Sequence, residues 1–227
     1  MEIIWHGQSC FTLKGTSAAV VTDPYEKAGK LKGNIVTLSD EALEKNATNV
    51  EDEPQVFSWP GEYEAGGIMI TAIKTGFVEP AAQKTTQEKE GDEDEEGDEE
   101  KEDKKEEKKA KKDDAKETLV YHIEVDGFKI CHLGGLTHRL TERTVETLGD
   151  VDILIIPVGK DTIDPKVAHE VVEQIDPRVV IPMNYDDLGA FSKEMGAHNE
   201  ARESLSLKTR SQLPEDTTEF VVLEKRS

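Results

Sequence analysis

The chain has 227 residues and a formal net charge of −21, enough length to bury a proper core in one or two domains. Between Glu88 and Glu117 stand 17 Asp and Glu against 9 Lys, which leaves −13 on the other 197 residues. Phosphate backbones and anionic lipid surfaces call for clustered Lys and Arg, so neither nucleic acid nor a membrane is expected as a partner.

In chain order, Glu2–Trp5, Cys10–Lys14 and Ala18–Thr22 alternate as short strands, with Gly7 and Gly15 marking the turns. A buried strand follows at Asn34–Leu38. It empties into a polar turn and a short helix over Asp40–Asn46, with Ser39 or Asp40 as N-cap. Strands are expected at Gln55–Ser58 and Gly67–Ile73, joined through a Trp59-Pro-Gly-Glu-Tyr63 turn.

Residues 79–117 break the pattern. They hold no aromatic residue and almost nothing apolar, so they cannot offset the entropy of ordering, and an acidic, Lys-containing disordered insertion or solvated helix is expected. A tolerated surface excursion is the simplest role for it; a regulated docking segment is the alternative.

The chain resumes with a hairpin, Thr118–Val125 and Phe128–Leu133 around Asp126-Gly127, in which His122 is expected to face solvent. Val151–Val158 and Arg178–Met183 are continuous apolar strands flanking a helix over Pro165–Ile175, which implies a sheet covered on that side. A helix over Asp187–Met195 and strands at Leu205–Thr209 and Glu219–Leu223 close the domain. Two cysteines, Cys10 and Cys131, make no disulfide framework. The opening residues lack the basic start and apolar run of a secretory signal, and no stretch approaches the roughly 20 apolar residues of a membrane span. A cytoplasmic protein is expected.

Five phrases together resemble the metallo-β-lactamase fold, in particular small zinc-dependent hydrolases related to the ascorbate-lactonase group. They are Ile4-Trp-His-Gly-Gln-Ser-Cys-Phe11, Val21-Thr-Asp-Pro-Tyr25, Pro60-Gly-Glu-Tyr-Glu64, Ile130-Cys-His-Leu-Gly134 and Ile181-Pro-Met-Asn-Tyr185. Order and spacing match across the chain except the insertion. The resemblance implies an α/β (α+β) four-layer αββα sandwich made by 1–78 and 118–227 as a single domain, with 79–117 inserted.

The resemblance also implies metal ligands, and here the chain departs from it. The family's His-x-His-x-Asp-His cluster corresponds to Asp40, Ala42, Glu44 and Lys45; a first-turn histidine is Gln8; the bridging aspartate is Gly135; the final histidine is Asn184. No histidine follows the strand ending near Ile73. Imidazole and carboxylate ligands make metal-bound water acidic enough to attack, and Ala42 and Gly135 supply neither. Asp40, Glu44 and Asn184 offer at best a weak oxygen site suited to magnesium or calcium. Lys45 is expected to stand where the ion would, near Glu44, Asp40 or Asp23.

His6, His132 and His138 are the residues from which a relocated metal site would have to be built; packing under the pocket (His132) and a surface loop (His138) are the plainer readings. Cys10 and Cys131 are expected as core thiols, not nucleophiles, because His132 beside Cys131 must point the other way. The degenerate pocket thus comprises His6, Gln8, Asp40, Ala42, Glu44, Lys45, His132, Gly135, His138 and Asn184, with no catalytic residue, no metal and no cofactor expected. Three functions compete: a non-catalytic binding or scaffold protein with an unidentified protein or small-molecule partner; a metal-dependent hydrolase of a small ester, lactone or phosphoester with an altered site; and an interaction protein acting through the acidic insertion.

Overall fold

The computed structural model describes residues 1–51, 53–76, 116–159, 161–196 and 200–226. Its strands are β1 (Glu2–Gly7), β2 (Cys10–Lys14), β3 (Ala19–Thr22), β4 (Leu31–Lys32), β5 (Ile35–Thr37), β6 (Val50–Glu51), β7 (Gln55–Phe57), β8 (Gly61–Ala65), β9 (Ile68–Thr75), β10 (Thr118–Val125) and β11 (Phe128–His132). Then come α1 (Glu142–Leu148), β12 (Ile153–Pro157), α2 (Pro165–Ile175), β13 (Val179–Met183), α3 (Gly189–Met195), β14 (Leu205–Ser206) and β15 (Glu219–Phe220).

The strands form two large sheets, ordered β14-β1-β2-β3-β5-β7 and β15-β13-β12-β11-β10-β9-β8, with β4–β6 as a small ribbon. Alternation on the facing sides buries Ile3, Phe11, Val20, Ile70, Tyr121, Ile123, Ile155 and Ile181 between the sheets. The β11-β12-β13 run is parallel, and its strands are apolar on both faces because helices cover the far side. There α2 lays Ala168, Val171, Val172 and Ile175 on the sheet. The helix starts at Pro165 after Asp164, whose carboxylate accepts the Lys166 N–H at 3.0 Å. The β10–β11 turn puts both Asp126 (φ 52°) and Gly127 (φ 78°) in the left-handed region, as a two-residue hairpin requires.

The outer face of the first sheet is covered differently. Two 3₁₀ segments, Glu26–Ala28 and Glu41–Asn49, pack Ala28, Leu43 and Ala47 over Cys10, Val21, Tyr25, Val36 and Leu38. Four layers result, as expected, but this outer layer is 3₁₀ and not α-helical. Glu41–Asn49 buries no residue fully and carries two Asn and a Thr, so neither packing nor propensity favours a longer α-helix. Asp40 is its N-cap, accepting the Ala42 N–H at 2.9 Å.

Other expectations need correction. The Trp59–Tyr63 turn is shorter than anticipated, since β8 begins at Gly61. Helix α1 was not foreseen; its apolar residues are only Val145 and Leu148. The closing strands are two residues each, and α3 begins at Gly189. His122 is half-buried, not fully solvent-facing: its ring lies at the Asp150 backbone, and its Nε2 is buried with no partner among the described residues. The 79–117 insertion lies outside the described residues except for Lys116 and Glu117. No helix among the described residues is long and apolar enough to cross a membrane.

Candidate functional site

Strand ends from both sheets meet at one rim, and hydrogen bonds join them. After β3, Asp23 is 2% exposed and adopts φ 40°. Its two carboxylate oxygens accept the Ser39 N–H and Ser39 Oγ–H, each at 2.6 Å, which ties the end of β3 to the segment after β5. The Ser39 carbonyl in turn accepts the Leu119 N–H at 3.0 Å and the Thr118 hydroxyl at 3.2 Å. Thr118 Oγ1 accepts the Gly135 N–H at 3.2 Å. Tyr121 bridges the sheets from β10: its hydroxyl lies 2.7 Å from the Leu38 carbonyl and 2.9 Å from that of Phe57. Burial and the nearby Asp23 charge push this phenol well above its ordinary range.

The rim frames a cleft of about 370 Å³ lined by Ser39, Asp40, Glu41, Trp59, Lys74 and Glu117 among others. Charge pairs organise it. Lys116 Nζ lies 3.0 Å from Asp40 Oδ2, and Lys74 Nζ lies 2.7 Å from Glu117 Oε2. The Ala42 N–H and then Lys116 hold the Asp40 carboxyl below its usual range. Trp59 stands at the mouth, 66% exposed.

The residues singled out from the sequence scatter over this rim. Asp40 lines the cleft. Ala42, Glu44 and Lys45 are exposed along the 3₁₀ segment, so Lys45 does not fill an ion's place. That expectation is overturned: the cations at the cleft are Lys74 and Lys116, brought there by the β9–β10 pairing that aligns Thr75 with Thr118. Gly135 is half-buried next to Thr118. His138 lines a separate cleft with Arg139 and Arg143.

The remaining residues pack around the first turn. His6 is buried with Nε2 2.8 Å from Thr12 Oγ1, and burial followed by the Arg226 charge lowers its pKa. His132 is wholly buried; its Nε2–H donates to the Ser9 carbonyl at 2.9 Å and its Nδ1 accepts the Gly134 N–H at 3.3 Å. Burial lowers its pKa despite Asp23 and Ser9. Exposed Gln8 and half-buried Asn184 both take positive φ, 51° and 58°, and the Asn184 N–H donates to the Gln8 carbonyl at 3.3 Å. Burial raises both cysteine thiols, with Asp23 adding to the effect at Cys10, so neither is an activated nucleophile.

This donor set does not suit the histidine-rich metal centre that the sequence resemblance implies. The segment from Asn34 to Asn49 contains no histidine in any register. Both ring nitrogens of His132 and both oxygens of Asp23 are committed to protein partners. Among the described residues no group of three or more His, Cys, Asp or Glu side chains is placed to hold an ion. Trp59, Lys74, Lys116 and Glu117 were not singled out for the site. Only the exposed Trp59 beside Pro60-Gly61 had a local signal, as a large aromatic in a turn.

Two facing sheets with a polar rim at the strand ends define a metallo-β-lactamase-type sandwich. Residues 2–184 match the family model of the β-lactamase superfamily domain, and the chain belongs to the metallo-β-lactamase superfamily. It is 26% identical over 209 residues to a UPF0173 protein of Pyrococcus furiosus, covering 86% of this chain and 90% of the relative. A UPF0173 metal-dependent hydrolase of Thermococcus onnurineus is 40% identical over 68 residues, 29% of this chain and 30% of the relative. Among solved structures, a Thermotoga maritima protein described as a Zn-dependent hydrolase of the metallo-β-lactamase superfamily superposes with a TM-score of 0.73 at 25% identity, covering 98% of this chain and 99% of that one.

Proposed function

We propose that this chain is a non-catalytic binding or scaffold member of the superfamily, its former metal cavity converted into a charge-paired cleft. The observation that carries this reading is that the rim's imidazoles and carboxylates already have protein partners. His132 is held by Ser9 and Gly134, Asp23 by Ser39, and Asp40 by Ala42 and Lys116. Recruiting His132 or Asp23 to an ion would break buried hydrogen bonds, at about 1–3 kcal/mol for each group left unpaired, whereas the exposed bonds of Asp40 would yield more easily. What remains is a cleft with an exposed indole and two ion pairs, suited to holding a small polar molecule with a flat apolar part.

The second reading is a metal-dependent hydrolase of a small ester, lactone or phosphoester. It is favoured by the descriptions of the Thermococcus and Thermotoga proteins. One experiment separates the two: elemental analysis of the purified chain, followed by thermal shift with zinc, manganese, iron or magnesium. We expect well under one metal per chain and no shift on metal or chelator addition, since only a ligand bound to the folded state raises Tm. A tightly held metal, with hydrolysis of p-nitrophenyl esters, a simple lactone or bis-p-nitrophenyl phosphate that chelator abolishes, would establish the hydrolase.

A further inference from the structure

Among the described residues the outermost strand of the second sheet is β8, paired on one side only, with β9. Gly66 and Gly67, at φ 57° and 77°, close a two-residue turn that sets Ala65 opposite Ile68. In such a hairpin the residues flanking the turn exchange hydrogen bonds and the pattern alternates from there. Gly61, Tyr63 and Ala65 therefore bond to β9, whereas Glu62 and Glu64 turn their N–H and C=O outwards. These two residues also have exposed side chains, and neither makes an ion pair among the described residues. Among the described residues they present peptide groups with no backbone partner, and two carboxylates at i, i+2 on one face.

The other face of the strand is apolar. Tyr63 stacks on Phe57 with ring centroids 4.4 Å apart, and Val56 (41% exposed) and Trp59 carry the apolar strip round to β7, the edge of the first sheet. Natural edges are usually blunted by charge. Here the charge is selective. A second copy of β8 adding antiparallel would set glutamate beside glutamate, which is destabilising. A strand with Lys or Arg at alternate positions would meet the glutamates with opposite charge and lay its intervening apolar residues over Tyr63.

We propose that β8 is a docking edge for an extended basic segment of a partner protein, which adds to the second sheet as a further strand. The inference concerns a surface separate from the cleft and holds whether or not the chain is catalytic. The test titrates the full chain with a labelled Lys-Val-Lys-Val-Lys-Val-Lys peptide by fluorescence anisotropy. Two comparison peptides are used: the same sequence N-methylated at alternate residues along one edge, and its Glu-Val counterpart. Saturable binding of the first is expected. N-methylation, or the Glu62→Pro and Glu64→Pro substitutions together, should weaken it by about tenfold or more with the circular dichroism unchanged. N-methylation matters because it keeps every charge. Equal binding of the methylated peptide would mean mere attraction to the acidic stretch and overturn the proposal. So would full affinity in the proline variant, or self-association of the chain through β8. Should the proline variant lose its fold, the Glu62→Lys, Glu64→Lys chain decides: it must prefer the Glu-Val peptide, and indifference would refute the docking edge.

Discussion

At the scale of single residues, two imidazoles, His6 and His132, are buried and a third, His122, is half-buried. His6, His122 and His132 all have their pKa lowered, chiefly by burial. Each is therefore harder to protonate in the folded chain than in the unfolded chain, where they take up protons near the ordinary value of about 6.5. Below that pH the unfolded state binds more protons, so stability is full above about pH 6.5 and declines as pH falls towards the folded values. His122 combines opposed influences: its buried Nε2 has no partner among the described residues to accept a new N–H, while the Asp150 backbone and the Glu124 and Asp152 charges favour its protonated form. We expect Tm to fall steadily between about pH 7.5 and 5, and His122→Phe to remove part of that slope. A wild-type Tm that is flat over this range, measured by calorimetry in matched buffers, would contradict the assignment. Asp40 acts in the same direction at lower pH, since its depressed pKa means that its stabilisation disappears as the carboxylate is protonated.

At the scale of elements, the rim depends on one connection more than on the visible ion pairs. Lys116–Asp40 and Lys74–Glu117 are half-exposed and worth little, roughly 0–1 kcal/mol each. The Asp23–Ser39 bonds are buried and fix the end of β3 to the exit of β5. Asp23→Ala strands a buried N–H and hydroxyl and should cost about 3 kcal/mol, or roughly 6–12 °C in Tm. Lys74→Ala should cost less than about 1 kcal/mol. Thermal unfolding of both variants checks the ranking, and equal losses would show that the exposed pairs carry the rim.

The same contrast explains what the sequence revealed. Ile153–Pro157 and Val179–Met183 were legible because parallel strands under helices are apolar on both faces. Asp126-Gly127 was legible because its turn needs those residues. Asp40 was legible as an N-cap, since a short acceptor before a helical turn is a local signal. By contrast β8 was missed, as its outward glutamates made an edge strand look like a turn. Lys74 and Lys116 were missed because the register of β9 on β10, which no local pattern encodes, decides that they meet at the cleft.

At the scale of the whole molecule, the acidic run between β9 and β10 is joined to the sandwich at two adjacent points. The two strands stay in register as far as Thr75 opposite Thr118, and a Cβ built on Gly76 would lie 2.8 Å from the Glu117 Cα. A short turn can therefore span the gap. Loop-closure entropy grows only with the logarithm of length, so replacing residues 79–115 by a few Gly and Ser should change stability by no more than about 1–2 kcal/mol. Keeping Lys116 and Glu117 preserves both ion pairs of the cleft. Removing 79–115 also takes away a concentration of negative charge, which should favour the shortened chain at low ionic strength more than at high. Calorimetry of the two forms at low and high salt is the measurement. A shortened chain that unfolds, or that loses several kcal/mol at both salt concentrations, would mean that the acidic run supports the core. Comparing partner capture by the two forms separates the remaining functions. Binding that survives the replacement belongs to the sandwich, through its cleft or its β8 edge, whereas binding that vanishes with Tm unchanged belongs to the acidic run, with the superfamily fold acting as its carrier.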